Sequence, residues 1–315
     1  MKMVTSCSKQ SPEPGRRINL KKYLHEKALI VNAELNKYLK EQYPPLMYQA
    51  MRYSIFAGGK RLRPFLVLQG AGICGMAEKK VIPTACALEY IHTYSLIHDD
   101  LPAMDNDDYR RGMLTSHKKF GEDVAILAGD ALLTEAFGLI AANAVVKGIS
   151  KENVLKVITL VSAQAGVQGM IGGQLVDTHQ SSDTKETVEA KKQALLYIHE
   201  HKTVALIKAS LLSGAILAGA STRQLKALSR YAEKIGLAFQ IMDDVLDVIG
   251  DKEKLGKKGS DLQNKKLTYV SLYGLEWSKR EAARLVNEAK KALTVFGRKK
   301  YMLEALADYI IEREY

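Results

Sequence analysis

Apolar residues in this 315-residue chain return at three- and four-residue spacing almost everywhere, and runs that alternate with period two are absent. Val154, Val157, Ile158 and Val161 form one such stripe; Leu225, Leu228, Tyr231, Ala232 and Ile235 form another. That spacing places side chains on one face of an α-helix and leaves no pattern for a sheet. Helix starts are legible at Ser150-Lys-Glu-Asn, at Ser221-Thr222 and at Asp183-Thr184, where a small polar residue can cap the first backbone N–H groups. Gly58-Gly59, Gly148 and Gly172-Gly173 read as breaks. The segment from Val124 to Ala142 is too apolar for a solvated surface and is expected to lie centrally. The pattern predicts an all-α, single-domain bundle of roughly ten or more helices, since a globular helix averages about a dozen residues.

No Pro/Gly/Ser-rich linker divides the chain, so residues 19–315 are expected to form one all-α domain, with residues 1–18 as a disordered tail. At 47% hydrophobic residues the core needs no disulfide staple. Cys7, Cys74 and Cys86 lie far apart with no CxxC, which fits a reducing compartment and argues against a thiolate zinc site. The stretch before Arg17 carries basic residues but no apolar signal core. The best membrane-span candidate, Val204 to Ala220, is interrupted by Lys208, Ser210 and Ser213 and reads as a core helix. A cytoplasmic protein without a membrane span is therefore expected. The formal charge of +11 invites a nucleic-acid reading. The basic residues are spread from Lys21 to Arg313, however, and the single Trp277 offers no stacking platform, so nucleic acid ranks low as a partner. Small anionic substrates fit the same charge.

Two aspartate clusters carry the chemistry: Asp99-Asp100-Leu-Pro-Ala-Met-Asp105 and Asp243-Asp244-Val-Leu-Asp247, each after an apolar run. Carboxylates at the end of a buried run repel one another unless a cation neutralises them. Asp243 and Asp247 are four apart and share a helix face, with Asp244 about 100° round the same turn. At a helix C-terminus, as Gly250 close behind suggests, their charge opposes the dipole, and a bound cation would offset that cost. Asp99 and Asp105 fall out of line on a straight helix, but Pro102 breaks it, and an unwound turn would swing Asp105 back beside Asp99. Arg110-Arg111-Gly112 follows, either as charge compensation or as a bidentate clamp for diphosphate oxygens. Gly58-Gly59-Lys60-Arg61-Leu62-Arg63-Pro64 looks like an anion cradle, without the spacing or the preceding strand of a nucleotide P-loop. Alone, a glycine break with snorkelling bases explains it better; the combination of clusters is the stronger signal.

Taken in order, GGKRLRP, HDDLPAMDNDDYRRG, GGQLVDT, HKTVALI and FQIMDDVLD resemble the bacterial trans-isoprenyl diphosphate synthases, over nearly everything from Lys21 to the C-terminus. The resemblance implies an all-α fold around a central cavity and a head-to-tail condensation of an allylic diphosphate with isopentenyl diphosphate. Three Mg²⁺ per site and a homodimer come with it. It implies metal ligation by Asp99 and Asp105 with Asp100 in support, and by Asp243 with Asp244 and Asp247 nearby; carboxylate oxygens suit a hard cation. Arg110 and Lys202 would stabilise the departing diphosphate, with Lys257 and Lys266 closing on it. Lys60, Arg63, His92 and Arg111 would hold isopentenyl diphosphate, and Thr203 and Gln240 would face the carbocation. The released diphosphate would act as base, so no side-chain nucleophile is needed.

Other residues read more plainly. His98 is expected to pack or cap locally, His199 and His201 to lie on the surface, and Asp107 and Asp108 to be solvated or to support the cluster from behind. Asp177 is expected to orient a base or to cap a break, the first being favoured. Tyr94, with Ser95 beside it, lies five residues before Asp99, about 7.5 Å down the helix, where a ring would floor the cavity in which the product grows. With the two-residue Pro-containing insertion in the first motif, that resembles farnesyl rather than geranylgeranyl diphosphate synthases. The loop Gly256-Lys257-Lys258-Gly259-Ser260-Asp261 is one residue shorter than is typical in the family, which leaves Lys257 and Lys258 as alternatives for one contact. Leu267 stands where a small hydroxyl residue is common. A terpene cyclase would not need the second basic set, and a non-catalytic partner subunit would be expected to lose aspartates that are all present here.

Overall fold

Capping explains where several helices begin. A computed structural model describes residues 19–179, 187–249 and 267–312. The Ser150 hydroxyl accepts from the Asn153 N–H at 3.1 Å and opens α7 (Lys151–Ala165). Ser221 and Gln224 exchange side chain-to-backbone bonds and open α11 (Thr222–Ile249), as their sequence predicts. Asp183-Thr184 lies outside the described residues; the helix beyond it, α9 (Val188–Ile198), is capped by Thr187.

The other helices are α1 (Leu20–Tyr38), α2 (Pro45–Phe56), α3 (Leu62–Ile73), α4 (Ile82–Asp99), α5 (Ser116–Phe120), α6 (Glu122–Ala141), α8 (Met170–His179), α10 (Ala205–Leu217), α12 (Tyr269–Tyr273), α13 (Leu275–Ala292) and α14 (Tyr301–Glu312). Among the described residues the strands are confined to a hairpin of β1 (Tyr109–Arg110) and β2 (Met113–Leu114), paired antiparallel with Tyr109 opposite Leu114. The all-α expectation holds.

Two apolar clusters make the core. One gathers α1, α2, α4, α6 and α7 around Leu35, Met51, Tyr90, Leu132 and Val157. The other gathers α10, α11, α13 and α14 around Leu211, Tyr231, Leu285 and Leu306. Helix α3 serves both, with Val67 and Leu68 in the first and Phe65 and Leu66 in the second. Its crossing with α10 is backbone to backbone: a Cβ on Gly70 would stand 2.1 Å from the Leu211 carbonyl oxygen, and one on Gly214 would stand 1.9 Å from that of Val67. No side chain larger than hydrogen fits there.

Three sequence expectations need correction. The segment from Val124 to Ala142, expected centrally, is buried on one face only. Helix α6 turns Ala128, Leu132 and Ala136 inward and leaves Ile126 and Leu127 exposed. Secondly, two helical segments, Glu122–Val145 and Lys151–His179, are long and apolar enough by length and composition to cross a membrane, where Val204 to Ala220 had looked the best candidate. Core helices of packed bundles pass the same test, and both segments turn part of their surface into this one. Lastly, Gly172-Gly173 is no break: both residues lie inside α8.

Candidate active site

The first aspartate cluster forms where α4 ends. Asp99 is its last residue, and beyond it the chain folds back so that the Asp105 N–H donates to the Asp99 carbonyl at 2.9 Å. This is the return that Pro102 was expected to allow. Burial pushes the Asp99 carboxyl up to about 6, with Asp105 and Asp100 adding to the shift and Lys202 and Arg110 opposing it. Asp100 is buried, and both its oxygens accept from Arg110 Nε, at 2.8 and 2.9 Å. The Arg110 guanidinium is thereby fixed beside the cluster. Asp107 and Asp108 stay exposed, Asp108 pairing with Lys118 at 2.8 Å.

Lys202 approaches from a different element. Helices α9 and α10 join without a break through a π-helical turn, His199–Val204, of the kind that recurs at functional sites. Gly173 and Gly236 let α8 and α11 close on this turn. A Cβ on Gly173 would stand 2.3 Å from the Lys202 backbone nitrogen, and one on Gly236 would stand 2.9 Å from Val204 Cγ2. Lys202 Nζ reaches Asp177 at 2.5 Å, so Asp177 orients a base, as expected. Thr203 follows it in the turn.

The second cluster lies on the last turns of α11, seven residues beyond Gly236. Gln240 Nε2 donates to Asp243 Oδ2 at 3.3 Å. Asp244 Oδ2 accepts the Tyr269 backbone N–H at 2.7 Å and so ties the start of α12 to the cluster. Asp247 lies on the same helix, one turn past Asp243. Among the described residues no three His, Cys, Asp or Glu side chains converge into a ready-made ion cage. The carboxylates of the two clusters are hard oxygen donors of the kind that suits Mg²⁺, which retains several waters and takes only one or two carboxylates. The Asp99 carboxyl, raised by burial and then by Asp105, would gain from an added cation.

The basic cradle is built differently from its sequence reading. Arg61 does not join it. In a left-handed backbone conformation (φ 49°) it turns inward, pairs with buried Glu89 at 2.6 Å, and donates to Asn32, Ile55 and Gly58. This locks the turn after α2. Arg61→Ala would leave Glu89 charged and unpaired, and should destabilise the fold by about 3–5 kcal/mol in denaturant titration. Arg63, His92 and Arg111 form the cradle proper. The Arg111 guanidinium donates to the Gly58 carbonyl, and a Cβ on Gly59 (φ 126°) would stand 2.9 Å from it, so a side chain there would strain the backbone and push the guanidinium aside. Burial pushes Arg63 down to about 10, with Arg111 adding to the shift and Glu89 opposing it, and the Arg63 Nε has no partner. His92 is driven well below its ordinary value by burial and then by Arg63 and Arg111. Such crowding of positive charge is relieved by an anion. Lys60 rests 5.7 Å over the Tyr309 ring of α14.

Tyr94 is buried under Asp99, its hydroxyl without a partner and its ring edge-on to His98 at 5.7 Å. Ser95 Oγ donates back to the His92 carbonyl. His98 packs as expected, but against α6 rather than locally, its Nε2 3.1 Å from the Ile126 carbonyl. His199 is not on the surface. It is buried against Tyr269, and burial pushes it down to about 4. His201 stacks on Tyr197 at 3.9 Å. Lys257, Lys258 and Lys266 lie outside the described residues. Glu89, the counter-charge of Arg61, was missed in the sequence, although an acid inside an apolar helix was its signal. The π turn had none.

Residues 44–306 match the model of the family described as Polyprenyl synthetase. The chain is 49% identical over 296 residues to a geranylgeranyl diphosphate synthase of Cyanophora paradoxa, covering 94% of this chain and 97% of that one. It is 42% identical over 298 residues to the farnesyl diphosphate synthase of Bacillus subtilis, covering 94% and 99%. The apo crystal structure of an FPP/GFPP synthase from Zymomonas mobilis superposes with a TM-score of 0.82 at 34% identity, covering 93% and 99%. With both aspartate clusters, the cradle and the Lys202 turn in place on this fold, the chain belongs to the polyprenyl synthetase family and is a trans-prenyltransferase.

Proposed function

We propose that the protein condenses isopentenyl diphosphate with dimethylallyl and then geranyl diphosphate, in a Mg²⁺-dependent reaction, and stops at farnesyl diphosphate. The observation that carries the product length is Tyr94: its ring is buried, five residues before Asp99 on the same helix. A chain growing along that helix from the aspartates meets an aromatic wall after about 7.5 Å.

The roles follow from the placement of each side chain. Asp99 and Asp105, with Asp243, Asp244 and Asp247 on α11, hold the metal ions on the allylic diphosphate. Magnesium, when bound, supplies the positive charge that lets diphosphate depart. Arg110, held by Asp100, and Lys202, held by Asp177, flank the leaving oxygens. Lys60, Arg63, His92 and Arg111 fix isopentenyl diphosphate with its double bond toward the developing cation. Thr203 and Gln240 offer oxygen lone pairs to that cation, and the departing diphosphate takes the proton. Lys257 and Lys266 are assigned to closing over the diphosphate from the family resemblance alone.

The geranylgeranyl product is the second reading, favoured by relatives such as the Cyanophora paradoxa enzyme. Mass spectrometry of the products from isopentenyl and dimethylallyl diphosphates with Mg²⁺ separates the two. A C15 product is expected for the native chain and a C20 or longer one for Tyr94→Ala. A native C20 product would discard the tyrosine floor, and an unchanged product from the variant would place the floor elsewhere. The exposed Ile126 and Leu127 of α6 and Leu155 of α7 suit a homodimer interface, which sedimentation would test.

A further inference from the structure

Nothing at its tip holds the Tyr94 ring. Its hydroxyl is buried without a hydrogen-bond partner, so the orientation of the ring depends on what packs against it. His98 does so from four residues along the same side of α4. The two rings meet edge to face, 5.7 Å between centroids and 78° between planes. The imidazole is in turn fixed from α6. Its Nε2 lies 3.1 Å from the Ile126 carbonyl, an acceptor that only an N–H can meet.

Gly129 makes room for that imidazole. A Cβ there would stand 2.1 Å from His98 Nε2, 2.5 Å from Cδ2 and 3.0 Å from Cε1, and these are the three nearest atoms outside the backbone of α6. Glycine inside a helix is disfavoured against alanine, so its presence within α6 calls for a reason, and the imidazole supplies one. The overlap falls on the far end of a side chain that can rotate. An added methyl would therefore turn the His98 ring away and leave the two helices in place.

We propose that His98 and Gly129 determine product length as positioning residues: Gly129 admits the imidazole, the imidazole backs the Tyr94 ring, and the ring so held stops the chain at C15. Neither residue is assigned to a diphosphate or a metal ion; both act through Tyr94. A ring without this support swings aside and lets a C15 chain accept another C5 unit. The inference rests on Tyr94 as the floor and adds what keeps that floor in place.

The test is the C20:C15 product ratio, read by mass spectrometry from the full chain with isopentenyl and dimethylallyl diphosphates and Mg²⁺. His98→Ala and Gly129→Ala are each expected to raise it about two- to tenfold, the range of one aromatic edge contact. In the His98→Ala background the added methyl meets no imidazole, so Gly129→Ala should change the ratio no further. Gly138→Ala makes the same substitution farther along α6 with nothing within 4 Å, and should keep the native ratio. Should Gly129→Ala lose its helical circular dichroism, His98→Ala against Gly138→Ala decides alone. Native ratios from the His98 and Gly129 variants, beside a Tyr94→Ala that lengthens the product, would leave the floor standing without this support and overturn the inference. So would an effect of Gly129→Ala that persists without His98. A Tyr94→Ala that keeps the native product would remove the floor and this inference together, a result distinct from the other two.

Discussion

Asp99→Asn should lower turnover by on the order of a thousandfold or more while making the metal-free protein more stable at pH 8. The two effects share one cause. Asp99 lies in a half-buried, acid-crowded turn, and its carboxyl is pushed up to about 6 by burial, with Asp105 and Asp100 adding. The unfolded chain ionises it near the ordinary value of 3.8. A folded value above the unfolded one means that the native state holds the proton more tightly. The penalty for ionisation is therefore absent below about pH 4, grows between 4 and 6, and is complete above. It is of the order of 1–3 kcal/mol. Asparagine removes the penalty together with the charge that would hold a cation on the substrate diphosphate, and loss of one such electrostatic partner costs a hundred- to thousandfold on its own. Thermal melts of both proteins in EDTA across pH 4 to 8, beside steady-state rates with Mg²⁺, check the two halves. A variant with full activity would remove Asp99 from the metal set, and one with no stability gain at pH 8 would show that the carboxyl is already neutralised by Lys202.

Much of this arrangement is legible in the sequence because it rests on local periodicity and local chemistry. The stripe from Val154 to Val161 is a helix that buries three of the four residues its spacing selected, Val154, Val157 and Val161, and half-buries the fourth, Ile158. The Ser150 and Ser221 caps open the helices they precede, and Pro102 does unwind the turn that returns Asp105 to Asp99. What failed depends on partners distant in sequence. Arg61 reads as one of three adjacent cradle bases, yet Glu89 draws it inward, and nothing near Arg61 announces that acid. His199 sits among charged neighbours and looks solvated until α12 lays Tyr269 across it. The exposed half of α6 looks central because a helix that is apolar on its exposed side as well has the composition of a fully buried one.

Gly173→Ala is the sharper probe of how the site is held, because it touches neither a charge nor a substrate. A glycine pair in sequence signals a break, but here Gly173 marks a contact. Helix α8 lies so close to the π turn that the added methyl would stand 2.3 Å from the Lys202 nitrogen and 2.8 Å from its Cα. Those are backbone atoms, so no rotamer relieves the overlap, and helix and turn must separate. Asp177 rides on α8 and Lys202 on the turn, so the 2.5 Å pair between them opens as the elements part. Overpacking of this kind costs about 1–3 kcal/mol. A shift near 1 Å in a positioned group lowers turnover about a hundredfold. Gly138→Ala in α6 is the control: nothing stands within 4 Å of its added methyl. There the gain in helix propensity should stabilise the protein by about 0.5–1 kcal/mol. Denaturant midpoints and kcat for the two alanine variants are therefore expected to move in opposite directions for stability, with turnover lost only in Gly173→Ala. If Gly173→Ala were destabilised but kept its kcat, the turn would be yielding without moving the lysine, and the Asp177–Lys202 pair would be a structural contact rather than the support of a charge at the diphosphate.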